Sequence, residues 1–428
     1  MFDREGRYLI KDYHSIPPFS SFLPGIAGPM GIPVWCYYNN RGQAVCSFGA
    51  QDKDHAILEF CPANTAYRDV SRTGFRTFCK VDGEFVELFT KDCSMYIGMS
   101  ELELASEEYG VEASVCYFGV PEERTAALAR ILTVRNMRET DVCLEMLDGL
   151  AAIVPYGVGQ DVLKNMSNLA TAWMQAEDYE EGLAYFRTRA SMEDTARVTK
   201  VEGGNFCIAI DKAGRRIAPI VQTRLVFGED TSLAMPQGFL RQGLEELCTV
   251  KQIALNQFPC CFVPVKQQLK PGECLTIYSL YGQAEEQGQV LSLAEKICDG
   301  EWFDGKRSRA KALVDDLCVA VATKTANPVF DAYCRQTYLD NLLRGGNPMF
   351  FRHKGVSKPF YIYSRKHGDP EREYNYFSLG REYYAQGNGN YRDVNQNRRC
   401  DVLFAPELGT TNIHTFYDLI QTAIILLC

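Results

Sequence analysis

The chain has 428 residues, 46% of them hydrophobic and 23% charged, and a formal net charge of −9. That length supports two or more domains with buried cores. The acidic balance excludes nucleic acid as the main partner, because that binding rests on Lys and Arg neutralising phosphates. The opening MFDREGRYLIKDYHS has no apolar stretch, and nowhere do roughly eighteen apolar residues run together, so neither a signal peptide nor a membrane span is predicted and the expected setting is the cytoplasm.

Seventeen cysteines are scattered from Cys36 to Cys428 with no C-x-x-C pair. The pattern predicts reduced thiols packed as small hydrophobes, with no metal site. Cys260 and Cys261 are neighbours in FPCCFVPV and are expected on opposite faces of a strand.

From about residue 5 to 283 the chain reads as short β-branched and aromatic runs between Gly, Asp, Asn and Pro: AILEF (56–60), FRTFCKV (75–81), EFVELFT (84–90) and ASVCYFG. ARILTVRN (129–136) and CLEMLDGL (143–150) flank a polar turn and predict a hairpin. Residues 161–177, DVLKNMSNLATAWMQAE, have apolar residues at helical spacing and predict a helical insertion. Strands resume in FCIAIDK, PIVQTRLVFG, CCFVPVKQQL and CLTIYSLYGQ, the last after a Lys-Pro-Gly turn. The fold class is therefore β + α multidomain, with a large antiparallel β-sandwich over residues 1–283.

Beyond it the apolar period lengthens. Residues 285–300, 306–325 and 329–346 read as amphipathic helices, with 284–327 as a helical linker and 328–428 as a further helical domain. The tract 347–397 is rich in Arg, His, Asp, Asn, Tyr and Gly and predicts irregular loop. The final HTFYDLIQTAIILLC reads as a helix with an uncapped apolar end, the pattern expected of a chain cut short or of an end packed in a core.

No Gly-x-Ser-x-Gly elbow, Walker A loop, His-Glu-x-x-His or dinucleotide fingerprint occurs. His367 and Asp369 lack further ligands for a metal. The segment 381–399, REYYAQGNGNYRDVNQNRR, is different: Gly387 and Gly389 permit tight turns beside side chains that pair with sugar hydroxyls. Tyr383, Tyr384 and Tyr391 offer flat apolar walls. From composition alone the segment reads equally as a solvated loop.

Two blocks, 23–68 (LPGIAGPMGIPVWCYYNNRGQAVCSFGAQDKDHAILEFCPANTAYR) and 365–399 (RKHGDPEREYNYFSLGREYYAQGNGNYRDVNQNRR), together with the middle stretch 128–158, resemble the inverting β-glucan and disaccharide phosphorylases of the cellobiose phosphorylase type, glycoside hydrolase family 94 and relatives. The resemblance implies a galactose-mutarotase-like sandwich, a helical linker and an α/α-hairpin barrel of which this chain holds only the beginning. It implies phosphorolysis of β-linked glucans or glucose disaccharides to α-glucose 1-phosphate with inversion, with inorganic phosphate as co-substrate, no cofactor, and a homodimer when full length.

In that resemblance the Arg-Asp pair of NYRDVNQ sets Asp393 against the hydroxyls of the donor-site sugar and Arg392 near the phosphate or that sugar, with Gln396 as a further contact. Asn397 stands where the cellobiose-type enzymes carry Asp, and their preceding arginine falls near Gln386–Asn388, so Arg381 is its candidate substitute. The family's general acid lies later in the barrel and has no counterpart before Cys428. No catalytic acid is assigned, and the chain alone is expected not to turn over. Two other readings fit the same residues: a non-catalytic carbohydrate-binding or oligomerisation module, and an inverting hydrolase, which needs a second carboxylate to activate water.

Overall fold

A computed structural model describes residues 2–192, 196–364, 376–389 and 391–420. His367 and Asp369, with the rest of 365–375, and the apolar end of the chain lie outside them.

A nine-stranded antiparallel sheet forms the larger layer, running in the order Tyr8–Lys11, Ser94–Ile97, Glu101–Glu108, Val111–Gly119, Ala126–Asn136, Cys274–Ala284, Gly204–Asp211, Leu183–Thr188, Met174–Glu177. Two four-stranded sheets face it. One holds Cys261–Leu269, Val142–Leu150, Phe75–Val81 and Glu84–Glu87; the other holds Ser20–Leu23, Trp35–Asn39, Val45–Gly49 and Ala56–Leu58.

The strand Val111–Gly119 shows why its sequence does not alternate cleanly. Val111, Ala113, Val115 and Tyr117 enter the core between the sheets, while Cys116 and Phe118 point the other way, under Val290, Leu293, Phe303 and Ala310 of two covering helices. A strand buried on both faces needs apolar residues on both. Cys260 and Cys261 divide likewise, Cys261 entering the inter-sheet core and Cys260 packing with Phe227 and Phe239 on the outer face.

The predicted hairpin does not form. Ala126–Asn136 pairs with Val111–Gly119 and Cys274–Ala284, whereas Val142–Leu150 pairs with Phe75–Val81 and Cys261–Leu269 in the facing sheet. The polar link is an arch between layers. The Lys270-Pro271-Gly272 turn, with Gly272 at φ +75° and Glu273 N–H donating to Lys270 O at 2.9 Å, makes a second crossing. Fully buried Asn136 joins the two arches: its amide donates to Leu269 O at 3.0 Å and Thr140 O at 2.8 Å. Turn polarity marks a chain reversal without saying which strand lies beside which.

The predicted helical insertion is two short helices, Gln160–Asn165 and Ser167–Thr171, separated at Met166, and then the strand Met174–Glu177. Met166, Leu169 and Trp173 are exposed, while Met174 and Ala176 are buried at a spacing of two, so the strand period prevails at that end. PIVQTRLVFG is not a strand either. It bends into the helix Thr223–Phe227, because Gln222 O accepts Leu225 N–H at 3.0 Å and Val226 and Phe227 turn together under the outer core.

The helices Gln287–Lys296, Gly300–Leu317 and Pro328–Gly345 follow the last sandwich strand. Asp299 caps the second through Glu301 N–H at 2.9 Å; Asn327 caps the third, with Pro328 in its first turn. The tract expected to be irregular instead contains a hairpin, Asn347–His353 with Val356–Ile362, and the helix Tyr391–Arg398. Lys354 (φ +47°) and Gly355 (φ +77°) give that hairpin a two-residue turn whose twist matches paired strands. Among the described residues no helix is long and apolar enough to cross a membrane, and no helical barrel is built.

Candidate functional site

The two blocks that carry the resemblance, far apart in sequence, pack on each other. Phe377 inserts among Trp35, Tyr37 and Phe60, with ring centres 5.1, 5.6 and 5.7 Å away. Backbone bonds extend the seam: Leu379 N–H donates to Gln51 O at 2.6 Å and Tyr384 N–H to Pro29 O at 2.7 Å. Buried aromatic edges and paired amides fix the loop against the sandwich with little freedom left.

The loop also folds on itself and on the hairpin. Gly380 N–H donates to Gln386 O at 2.6 Å, and Tyr363 N–H to Ala385 O at 3.2 Å. Tyr384, not a glycine, takes the left-handed backbone at φ +57°. Gly389 is required for space instead, since a Cβ there would stand 2.3 Å from Val394 Cγ2. The small space lined by Gly25, Ala27, Pro33, Ser364, Gln386 and Gly387 is about 10 Å³, room for one water and not for a sugar ring.

Arg381 turns toward the sandwich. Its guanidinium carbon lies 5.7 Å from the centre of the Tyr156 ring, and its Nε is 3.8 Å from Glu285 Oε1. Arg392 and Asp393 lie on the first turn of Tyr391–Arg398, where an acidic side chain suits the positive helix end. Arg392 donates to Asp393 Oδ1 from Nε at 2.9 Å, and its Nη2 lies 2.9 Å from the same oxygen, so the pair engages one oxygen of the carboxylate. Gln396 is exposed, and Asn397 Nδ2 donates to Asp393 O at 2.6 Å. Arg381 is thus buried against the sandwich, whereas Arg392 is largely exposed on its own helix.

The tyrosines do not share a wall. Tyr383 OH accepts from Arg124 Nε at 3.1 Å, Tyr384 stands edge-on to Phe351 and Phe360, and Tyr391 meets Phe416 at 5.6 Å.

Asp401 was not singled out from sequence. It is buried and accepts from Tyr361 OH at 2.8 Å; Tyr361 OH also lies 2.9 Å from Asn412 Oδ1. Arg398 stacks on Tyr361 with its guanidinium carbon 3.6 Å from the ring centre and donates to Gly345 O at 2.6 Å. Burial pushes the Asp401 carboxyl up to about 6 against the opposing pull of Tyr361 and Arg398. Its enclosure makes it a fastening group between its own helical turn and the hairpin strand of Tyr361. The only sequence sign was an acid inside the otherwise apolar DVLF turn.

Glu101, Glu103 and Cys116 also converge within 4.8 Å. Arginines fill that cluster: Arg307 donates to Glu101 at 2.6 and 2.9 Å and to Glu103 at 3.2 Å, and Arg7 donates to Glu103 at 2.9 Å. The carboxylates therefore serve to dock the helix Gly300–Leu317 on the large sheet.

No family model and no curated protein matches the chain. Among solved structures it is similar to a polysaccharide lyase (12% identity, TM-score 0.34, 61% of this chain and 33% of that one). It is also similar to a protein assigned as a kojibiose phosphorylase from the human microbiome (8%, 0.26, 78% and 32%) and to a bacterial glucoamylase complexed with acarbose (9%, 0.36, 79% and 43%). The chain spans between 32% and 43% of the lengths of these three. Superposition at such scores is too loose to carry any of their activities over.

Proposed function

We propose that this chain supplies the sugar- and phosphate-facing part of an inverting phosphorylase acting on β-linked glucans. The observation that carries the reading is the seam itself. The two blocks resembling that family, separated by some three hundred residues, are joined through Phe377, Leu379 and Tyr384 to the 29–60 region, as expected if they build one site rather than two unrelated surfaces.

In an inverting displacement phosphate attacks the anomeric carbon from the face opposite the leaving group, while a carboxylic acid protonates the departing oxygen. The nucleophile arrives already ionised, so the protein must hold an anion in line and fix the donor sugar. Asp393 suits the second task. Arg392 pairs with its Oδ1, and in this reading its Oδ2, outside that pair, accepts sugar hydroxyls. Arg392 brings positive charge to the same helix, where Gln396 is exposed, and Arg381 brings a second positive charge from the loop packed on the sandwich.

The test is calorimetric titration of the chain with laminari-, sophoro- and cello-oligosaccharides, with and without inorganic phosphate. One linkage series should bind, more tightly with phosphate present, and Asp393→Ala should weaken it by about tenfold or more. Absence of binding in all three series would overturn the reading.

A further inference from the structure

Among the asparagines of the chain only Asn388 is followed by glycine. Such a step can react with itself: the glycine amide nitrogen attacks the side-chain carbonyl of the asparagine, and the glycine has no Cβ to crowd the ring that closes. Asn388 and Gly389 stand in the stretch between the Phe377 seam and the helix Tyr391–Arg398.

The fold arranges both halves of that reaction. Ser378 N–H donates to Asn388 Oδ1 at 2.6 Å, and Asn388 N–H donates back to Ser378 O at 3.1 Å, so the side-chain carbonyl is held and polarised by a fixed donor. A backbone N–H aimed at that oxygen stabilises the negative charge it gains on attack, as an oxyanion hole does. The nucleophile lies on the open side. Gly389 is exposed, where water reaches its N–H, which donates to Gly387 O at 3.1 Å.

We propose that Asn388 is a site of spontaneous deamidation, through a succinimide closed by the Gly389 nitrogen. Water or hydroxide takes the Gly389 amide proton, the nitrogen bonds to Asn388 Cγ, the Cγ–Nδ2 bond breaks and ammonia leaves. A second water opens the ring at either carbonyl. Opening at Cγ gives aspartate; opening at the main-chain carbon gives isoaspartate, whose backbone runs through one additional carbon.

The surroundings make the second product disruptive. Gly387 N–H is anchored on Ser364 O, and Gly389 abuts Val394, where even a Cβ would stand 2.3 Å from Cγ2. An added backbone carbon between these two points pushes on the helix that carries Arg392 and Asp393. The deamidated chain therefore loses glucan affinity, a consequence that rests on the phosphorolytic reading above, whereas the modification itself rests on the loop geometry.

The experiment ages the whole chain in neutral and mildly alkaline buffer, folded and in urea, and follows residue 388 by peptide mapping. Acid should replace amide at 388 ahead of every other asparagine, sooner at the higher pH, and severalfold faster in the folded chain, where Ser378 supplies the donor, than in the unfolded one. Asn388→Gln should stop the conversion at that position, since its longer side chain closes a less favourable ring. An amide that persists at 388 while other asparagines convert overturns the proposal, as does conversion no faster in the folded chain than in urea. Titration of fresh and aged chain with the oligosaccharide series separates the two readings. Conversion at 388 in a chain that binds no oligosaccharide even when fresh upholds the modification and sinks the phosphorylase; oligosaccharide binding with 388 unconverted does the reverse. Affinity lost in proportion to the isoaspartate fraction upholds both, and full affinity in a converted chain overturns the link between the modification and the site.

Discussion

Arg130, on a central strand of the large sheet, and Asp148, on the facing sheet, form an ion pair that is wholly buried between the layers. Around it Arg130 Nη2 donates to Gln43 Oε1 at 2.7 Å, and Thr77 Oγ1 donates to Asp148 Oδ1 at 2.7 Å. Both charges have lost water, so each depends on the other and on this network. Either single change, Arg130→Met or Asp148→Leu, should destabilise the sandwich by roughly 3–5 kcal/mol, since it strands the remaining charge. The double change should recover most of that loss in urea denaturation. A double variant as unstable as the sum of the singles would show that the pair is not a closed unit.

Asp401 predicts a pH dependence. Its carboxyl is raised from 3.8 to about 6 in the fold, chiefly by burial. The folded state therefore holds a proton that the unfolded state releases first, and the stabilisation present below about pH 4 is lost as pH rises through about 6. Asp401→Asn keeps an acceptor for Tyr361 without the charge. Its thermal midpoint, compared with the parent at pH 4 and pH 7, should gain at the higher pH by a margin on the order of 1 kcal/mol after solvent screening. An equal offset at both pH values would remove Asp401 as the source.

Gly389 ties loop geometry to binding. Gly389→Ala drives a methyl into Val394 and shifts the helix that carries Arg392 and Asp393. Oligosaccharide affinity should fall severalfold while the sandwich, remote from the change, keeps its unfolding midpoint; Gly389→Ala with Val394→Ala should restore affinity. Failure of the second change to rescue would place the defect elsewhere.

Much of the sandwich was legible in sequence because strands such as FRTFCKV and CLTIYSLYGQ carry their burial in their own pattern. Which sheet each joined was not, since the links at 136–142 and 269–274 look like hairpin turns yet span layers. The 161–177 segment misled because Met166, Leu169 and Trp173 keep helical spacing on an exposed face where no core rewards it. Of the candidate site, the residues were readable but not their company. Nothing in REYYAQGNGNYRD said that Arg381 would reach Tyr156 and Glu285 while Arg392 paired with its own neighbour. Those contacts arise from the seam between distant segments, which no local pattern encodes.

The most direct measurement is the binding of α-glucose 1-phosphate against its β anomer. An inverting attack on a β-linked donor yields the α product, so the α anomer should bind in preference, compete with the oligosaccharide, and lose about tenfold or more in affinity in Asp393→Ala. Equal binding of both anomers, or binding indifferent to Asp393, would contradict the phosphorolytic account.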